Sequence, residues 1–243
     1  MNIPAALFLI LTALPSQAQE SKIDKNKITP QLMGGVVKSD QWLIRKKAGE
    51  EEFEGHVSYR NPHYSFNGDW ALYNEKTGVV KAKGHIKGEK RWENGDITRM
   101  AGDYAQYHPE LRKGVLFADR GKQVDIVHDD RARGLWHARS DRADIYDASN
   151  VLWLTGKVRI EGQDTNSLSD KAVYVSSAAT LNLLGRPAIW GRRDKYDYAI
   201  ESDRAALLRN EKVVRSEGDV KGWIRPVDPK EAEKWSSSSG EKK

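Results

Sequence analysis

The chain has no cysteine in 243 residues, so no disulfide staples its fold and no lipid-modified cysteine can anchor it to a membrane. Long hydrophobic runs are also missing. The apolar stretch from Ile3 to Leu14 covers twelve residues, where a membrane-crossing helix needs about 20. There is no dense Lys/Arg block of the kind that tracks a nucleic acid backbone, no G-x-x-x-x-G-K-[ST] loop for ATP and no G-x-S-x-G nucleophile elbow. The histidines, His56, His63, His85, His108, His128 and His137, show no ligand spacing on a helix and read as surface residues, so neither a metal nor a cofactor is expected. Asp129, Asp130 and Asp194 stand beside Arg131, Arg133, Arg192 and Arg193, an arrangement that ion pairing explains. With no catalytic constellation, the chain reads as a binding or scaffolding protein and not as an enzyme.

What charge there is comes mixed: 40 basic against 35 acidic side chains, a formal +5, which is a mild bias suited to an anionic ligand. No charged residue precedes Glu20, and small residues at Ser16 and Ala18 follow the apolar run. Residues 1–18 are therefore expected to be an export signal cleaved after Ala18, placing the mature chain in a periplasm. Residues 19–35 read as a flexible polar lead-in, 36–226 as one domain, and 227–243 as a disordered tail containing Trp235.

Within the domain one unit recurs six times. It opens on Asp40, Asp69, Asp103, Asp141, Asp170 and Asp203, and a glycine follows at Gly55, Gly84, Gly121, Gly156, Gly185 and Gly218. The separation is 15 residues in every unit except the third, where it is 18. Repetition at this scale marks stacked supersecondary elements.

Each unit reads as two strands around a polar turn, because apolar residues recur with period two on both sides. The second and fourth positions after the aspartates are Trp42 and Ile44, Ala71 and Tyr73, Ala105 and Tyr107, Ala143 and Ile145, Ala172 and Tyr174, and Ala205 and Leu207. Around the glycines, Val80, Ala82 and Ile86 alternate with Lys81, Lys83 and Lys87, and Leu152, Leu154, Val158 and Ile160 alternate with Trp153, Thr155, Lys157 and Arg159. The third unit breaks this pattern, and a bulge or register shift near Ala118 is expected to restore it.

A glycine held at one place in every second strand marks a recurring kink that curls the sheet, around either an open space or a dry sandwich. An aspartate at the same edge of every unit reads as a residue that opens a strand or turn, since an acid–base pair needs one special environment.

The segment Ser140 to Ile160, together with Gly102 to Tyr107 and Ser216 to Ile224, resembles repeats of the OstA/LptA family of lipopolysaccharide-transport proteins, over residues 36–225. The resemblance implies an all-β fold: a twisted open β-jellyroll of two facing antiparallel sheets built from about six stacked hairpins. It also implies an apolar slot for the acyl chains of lipopolysaccharide (lipid A), and end strands that pair with related jellyroll domains of inner- and outer-membrane components or with further copies head to tail. The residues expected to line that slot are Trp42, Ile44, Phe53, Val57, Tyr73, Val80, Ile86, Ala105, Tyr107, Ala143, Ile145, Leu154, Val158, Tyr174, Leu183 and Leu207. Small alanine at the second position of five units suits a slot. One strand per sheet per unit at about 4.8 Å would give a body about 30 Å long. Alternative readings are a membrane-associated LptC-type component of the same pathway, an envelope adaptor with a closed core, and a secreted β-helix enzyme acting on polysaccharide.

Overall fold

The computed structural model describes residues 31–228 apart from 33 and 133. The expectations for residues 1–30 and 229–243, including the export signal and Trp235, lie outside the described residues. Every described strand pairing is antiparallel, which is not the parallel coil of a β-helix.

In chain order the strands are β1 (Gln31–Leu32), β2 (Gly35–Lys38), β3 (Gln41–Arg45), β4 (Glu50–Arg60), β5 (Tyr64–Asn74), β6 (Val79–Arg91), β7 (Ile97–His108), β8 (Lys113–Phe117) and β9 (Val124–Asp130). They continue as β10 (Gly134–Ser140), β11 (Arg142–Tyr146), β12 (Val151–Glu161), β13 (Thr165–Val175), β14 (Thr180–Leu184), β15 (Ala188–Arg193), β16 (Tyr196–Glu201), β17 (Arg204–Leu208), β18 (Val213–Glu217) and β19 (Lys221–Pro226). Two strands thus begin inside the stretch expected as lead-in, and strand β19 runs to the tail boundary.

The aspartates and glycines mark where the chain passes from one sheet to the other. Strand β4 shows how: residues 50–54 pair with β3, while residues 58–60 pair with β2. Register shifts fall at this point between Glu54 and Val57, Asn67 and Trp70, Lys83 and Ile86, and Thr155 and Val158. One sheet therefore runs β3–β4–β5–β6–β7–β8–β11–β12–β13–β14–β17–β18. The other runs β1–β2–β4–β5–β6–β7–β9–β10–β12–β13–β15–β16–β19. Each unit adds two strands to each sheet, because both arms of the hairpin cross the corner. The expected length of about 30 Å is corrected accordingly: twelve strands stack to roughly 50 Å at about 4.8 Å each.

The corner has a local cause. At Gly156 the backbone is left-handed, φ +83°, and Lys157 follows at +46°. A Cβ on Gly156 would run into the Asp141 carboxylate, which lies across it, while the Asp141 amide donates to the Gly156 carbonyl at 3.0 Å. The same contact between aspartate and glycine recurs at Asp40/Gly55, Asp69/Gly84, Asp170/Gly185 and Asp203/Gly218. The aspartates are thus structural. At two corners the next residue adds a side-chain bond, His56 Nδ1 to Asp40 and His85 Nδ1 to Asp69, both 2.7 Å.

The third unit differs as its longer spacing implies. The expected bulge near Ala118 is a break instead: residues 118–123 separate β8 from β9, and the Asp119 amide donates to Asp103 Oδ2 at 2.7 Å in place of a glycine contact.

Replacing Gly156 by alanine combines left-handed strain with a collision against Asp141, and is expected to cost about 1–3 kcal/mol in urea unfolding. In an Asp141→Ala background the collision disappears and the strain remains. The double variant should therefore lose less than the sum of the singles, by at least about 0.5 kcal/mol; strict additivity would show that the carboxylate does not lock the corner.

Candidate functional site

Between the sheets the two halves of the array differ. Among units one to three, and reaching Ile145 and Asp147 of the fourth, lies a cavity of about 380 Å³, within the range of about 300–1,000 Å³ typical of ligand pockets. The first sheet contributes Phe53, Ala71, Tyr73, Ala82, Ala105 and Leu116 to its walls, and the second contributes Val57, Phe66, Ile86 and Met100. Alanines at the aspartate-proximal positions leave space that longer side chains would occupy. At the N-terminal end Trp42 stacks on Phe53, with ring centroids 6.0 Å apart and planes at 10°, and it stays 41% exposed because β3 has a neighbour on one side only.

Beyond Ile145, in the fourth and fifth units, the space is filled. Ala143, Ala172, Leu152 and Leu183 are 0% exposed. Tyr174 from the first sheet meets His128 and Trp136 from the second at ring distances of 4.8 and 5.5 Å, and His128 stacks on Trp136 at 4.9 Å.

Of the residues expected to line a slot, Phe53, Val57, Tyr73, Val80, Ile86, Ala105, Tyr107 and Ile145 line the cavity. Trp42 and Ile44 lie exposed on the end strand. Ala143, Leu154, Val158, Tyr174 and Leu183 belong to the packed core, and Leu207 packs against it. Tyr59, Tyr64, Phe66, Met100 and Leu116 line the cavity without having been singled out. A readable signal for some of them precedes each aspartate, where Tyr64, Phe66 and Gly68 alternate before Asp69, and Met100 and Gly102 before Asp103.

Along the margin away from the Asp–Gly corner, side chains clasp one sheet to the other. The ammonium of Lys90 pairs with the Asp147 carboxylate, both almost wholly buried, and lies 3.9 Å over the Trp92 ring. Tyr107 donates to Asp147 at 3.3 Å, and Lys90 donates to Tyr64 at 3.4 Å. Burial pushes the Lys90 ammonium below its ordinary range against the pull of Asp147. It also raises the Tyr107 phenol to about 12 and drives Tyr64 higher still. Further along, Asn94 donates to Ser176 at 3.2 Å and Arg209 approaches Asp130 at 3.7 Å.

One expectation is corrected here. His128 is fully buried, not a surface residue, because β9 turns it inward beyond the break in the third unit. Arg209, distant in sequence, lies 3.7 Å from Asp130, and Arg192 pairs with Asp197 at 2.9 Å.

Replacing Lys90 by methionine leaves the buried Asp147 carboxylate without its cation and is expected to cost about 3–5 kcal/mol in urea unfolding. Adding Asp147→Leu should recover most of that loss. A double variant as unstable as Lys90→Met alone would contradict the pairing. Burial also pushes His128 from 6.5 down to about 4 against the attraction of Asp96. The unfolded chain then binds a proton that the native chain refuses, so stability should fall as pH drops from 6.5 to 4. In thermal melts, His128→Gln should flatten that part of the pH profile.

No protein-family model matches the chain, and no curated protein matches it. Among solved structures the chain is similar to the crystal structure of LptH from Pseudomonas aeruginosa, described as the LptA-homologous periplasmic component of a lipopolysaccharide transport device. The TM-score is 0.47 at 15% identity, over 55% of this chain and 99% of LptH.

Proposed function

We propose that this protein is an OstA/LptA-type carrier that shields the acyl chains of lipopolysaccharide in the periplasm and joins its partners through its end strands. The observation that carries the reading is the apolar cavity between the sheets of the first three units, which leads toward an end strand with exposed Trp42, Leu43 and Ile44. Carrying a twelve-carbon chain through water would expose roughly 10 kcal/mol of apolar surface, at about 0.8 kcal/mol per methylene, and an apolar slot removes that barrier. The resemblance of residues 36–225 to OstA/LptA repeats supports the same ligand class. The chain would act as a carrier and not as a catalyst, with energy supplied by a partner.

The ends suit pairing. Among the described residues, strands β3 and β18 each have a neighbour on one side, as do β1 and β19. Trp223 and Ile224 on β19 are 49% and 60% exposed. Open edges of this kind template pairing with another sheet, and end-to-end joining of different faces builds filaments. A second reading, an adaptor with a closed core, draws its support from the tight packing of units four and five.

Filling the cavity separates the two readings. Ala82→Trp and Ala105→Trp place an indole in the cavity wall and are expected to cut retention of added lipopolysaccharide at least tenfold in native mass spectrometry, with the β circular dichroism unchanged. The same change at Ala143 or Ala172 would overpack the core and destabilise the fold, so those positions do not report on binding. Trp223→Ala should leave lipid retention intact and weaken end-to-end association. A wild-type protein that takes up no lipid would favour the adaptor.

A further inference from the structure

Asp96, His128 and Asp130 come together at the margin of the second sheet, outside the cavity. Asp96 sits in the turn between β6 and β7, and β9 carries the other two, His128 opposite Thr98 and Asp130 one residue beyond Asp129, which is opposite Ile97. All three are buried, at 4%, 0% and 1% exposure, and one ligand atom from each lies within 4.8 Å of the others. His128 Nε2 is buried without a hydrogen-bond partner, and Asp96 Oδ2 stands 3.4 Å from it. That distance is long for a hydrogen bond. It equals the edge of roughly 3.3–3.4 Å between two ligands of a tetrahedral metal with bonds of about 2.0–2.1 Å.

The surroundings are built as an outer shell. His128 Nδ1 is 2.7 Å from Thr98 Oγ1, which accepts from Trp92 Nε1 at 2.6 Å. In the tautomer with the proton on Nδ1, the imidazole donates to Thr98 and turns a bare Nε2 lone pair toward the carboxylates, as a metal-binding histidine does. Asn94 donates to Asp96 Oδ2 at 2.8 Å, and the Ala132 amide donates to Asp130 Oδ1 at 3.0 Å. Two carboxylates and the guanidinium of Arg209, 3.7 Å from Asp130 Oδ2 and 16% exposed, face the site.

We infer that Asp96, His128 and Asp130 form a binding site for a divalent transition cation of the zinc class, which displaces Arg209 from Asp130 when it binds. One imidazole nitrogen with two carboxylate oxygens suits zinc and its neighbours better than calcium or magnesium, which prefer oxygen alone. Arg209 is both the competing cation and the group whose movement opens the site. The assignment is independent of lipid binding.

The test titrates the untagged, chelator-treated mature chain with zinc chloride by calorimetry, and with cobalt by absorbance. One equivalent should bind with micromolar or tighter affinity, and cobalt should give the intense visible bands of a tetrahedral centre. His128→Gln and Asp96→Asn should each weaken zinc binding at least 30-fold. Arg209→Met should strengthen it several-fold, an outcome that a merely structural role for Arg209 does not produce. If His128→Gln does not fold, Asp96→Asn and Arg209→Met decide the matter. The inference is overturned if the wild type binds no zinc, or if binding survives Asp96→Asn and is lost when the exposed His56 and His85 and the half-buried His137 are replaced.

Discussion

The structure depends on a bend that the backbone makes at the same place in five of the six units. Two consecutive left-handed residues, as at Gly156 and Lys157, turn one strand from the first sheet into the second. The aspartate of the neighbouring strand fills the place where a side chain on the glycine would stand. The pair is mutually dependent, since the carboxylate lies across the glycine only because no Cβ is there. Because the bend keeps the period-two alternation in step, Leu152 and Leu154 before it and Val158 and Ile160 after it all face one interior. From that one corner follow two sheets, a shared inside and a charged outside.

What fills the inside is a separate matter, decided by side-chain size. Around the cavity the facing positions are Ala71, Ala82 and Ala105, with Gly88 and Gly114 beside them. Deeper in the array the equivalent alanines, Ala143 and Ala172, are covered by Leu152, Leu154, Leu183 and the ring of Tyr174, so the space closes. Interiors pack to near-crystalline density where side chains can reach one another, and here they reach only in one half. Lys90 and Asp147 stand near the transition. A buried ion pair adds little net stability, yet breaking it is costly. Its role in the array is therefore positional: it joins the turn after β11 to β6 and sets how far apart the sheets stand beside the cavity.

Much of this was legible in the residues. The spacing from aspartate to glycine gave the number of units, and the alternation gave the buried face in units two and four. The number of strands per sheet was not legible, because nothing in the spacing says that both arms of a hairpin cross the corner. Cavity and core could not be separated either. Ala105 and Ala143 occupy the same position of their units, and nothing in the alternation says that the first lines a cavity while the second is 0% exposed. The position before four of the six aspartates held an unused signal: Ser39, Ser140, Ser169 and Ser202 each donate a hydroxyl to the carbonyl two residues on, at 2.8–3.0 Å. His128 was misplaced because the alternation fails across residues 118–123, and its face could be assigned only once β9 paired with β7 and β10.

The asymmetry between the halves constrains how such an array could work in series. An open stack offers two ends, and a continuous apolar path through joined copies needs an open interior at both. Here the cavity lies behind Phe53 near the N-terminal end, whereas packed core fills units four and five, between the cavity and the partly buried Leu207 and Val214 of the C-terminal unit. Head-to-tail joining of this chain with itself would set each cavity against a closed interior. A path for lipid can continue through the N-terminal end alone, into a neighbour that is open where it meets β3. Pairing at β18 and β19 can then attach the protein without extending the path. The division of the interior thus gives the two ends different work, although their strand edges are chemically alike.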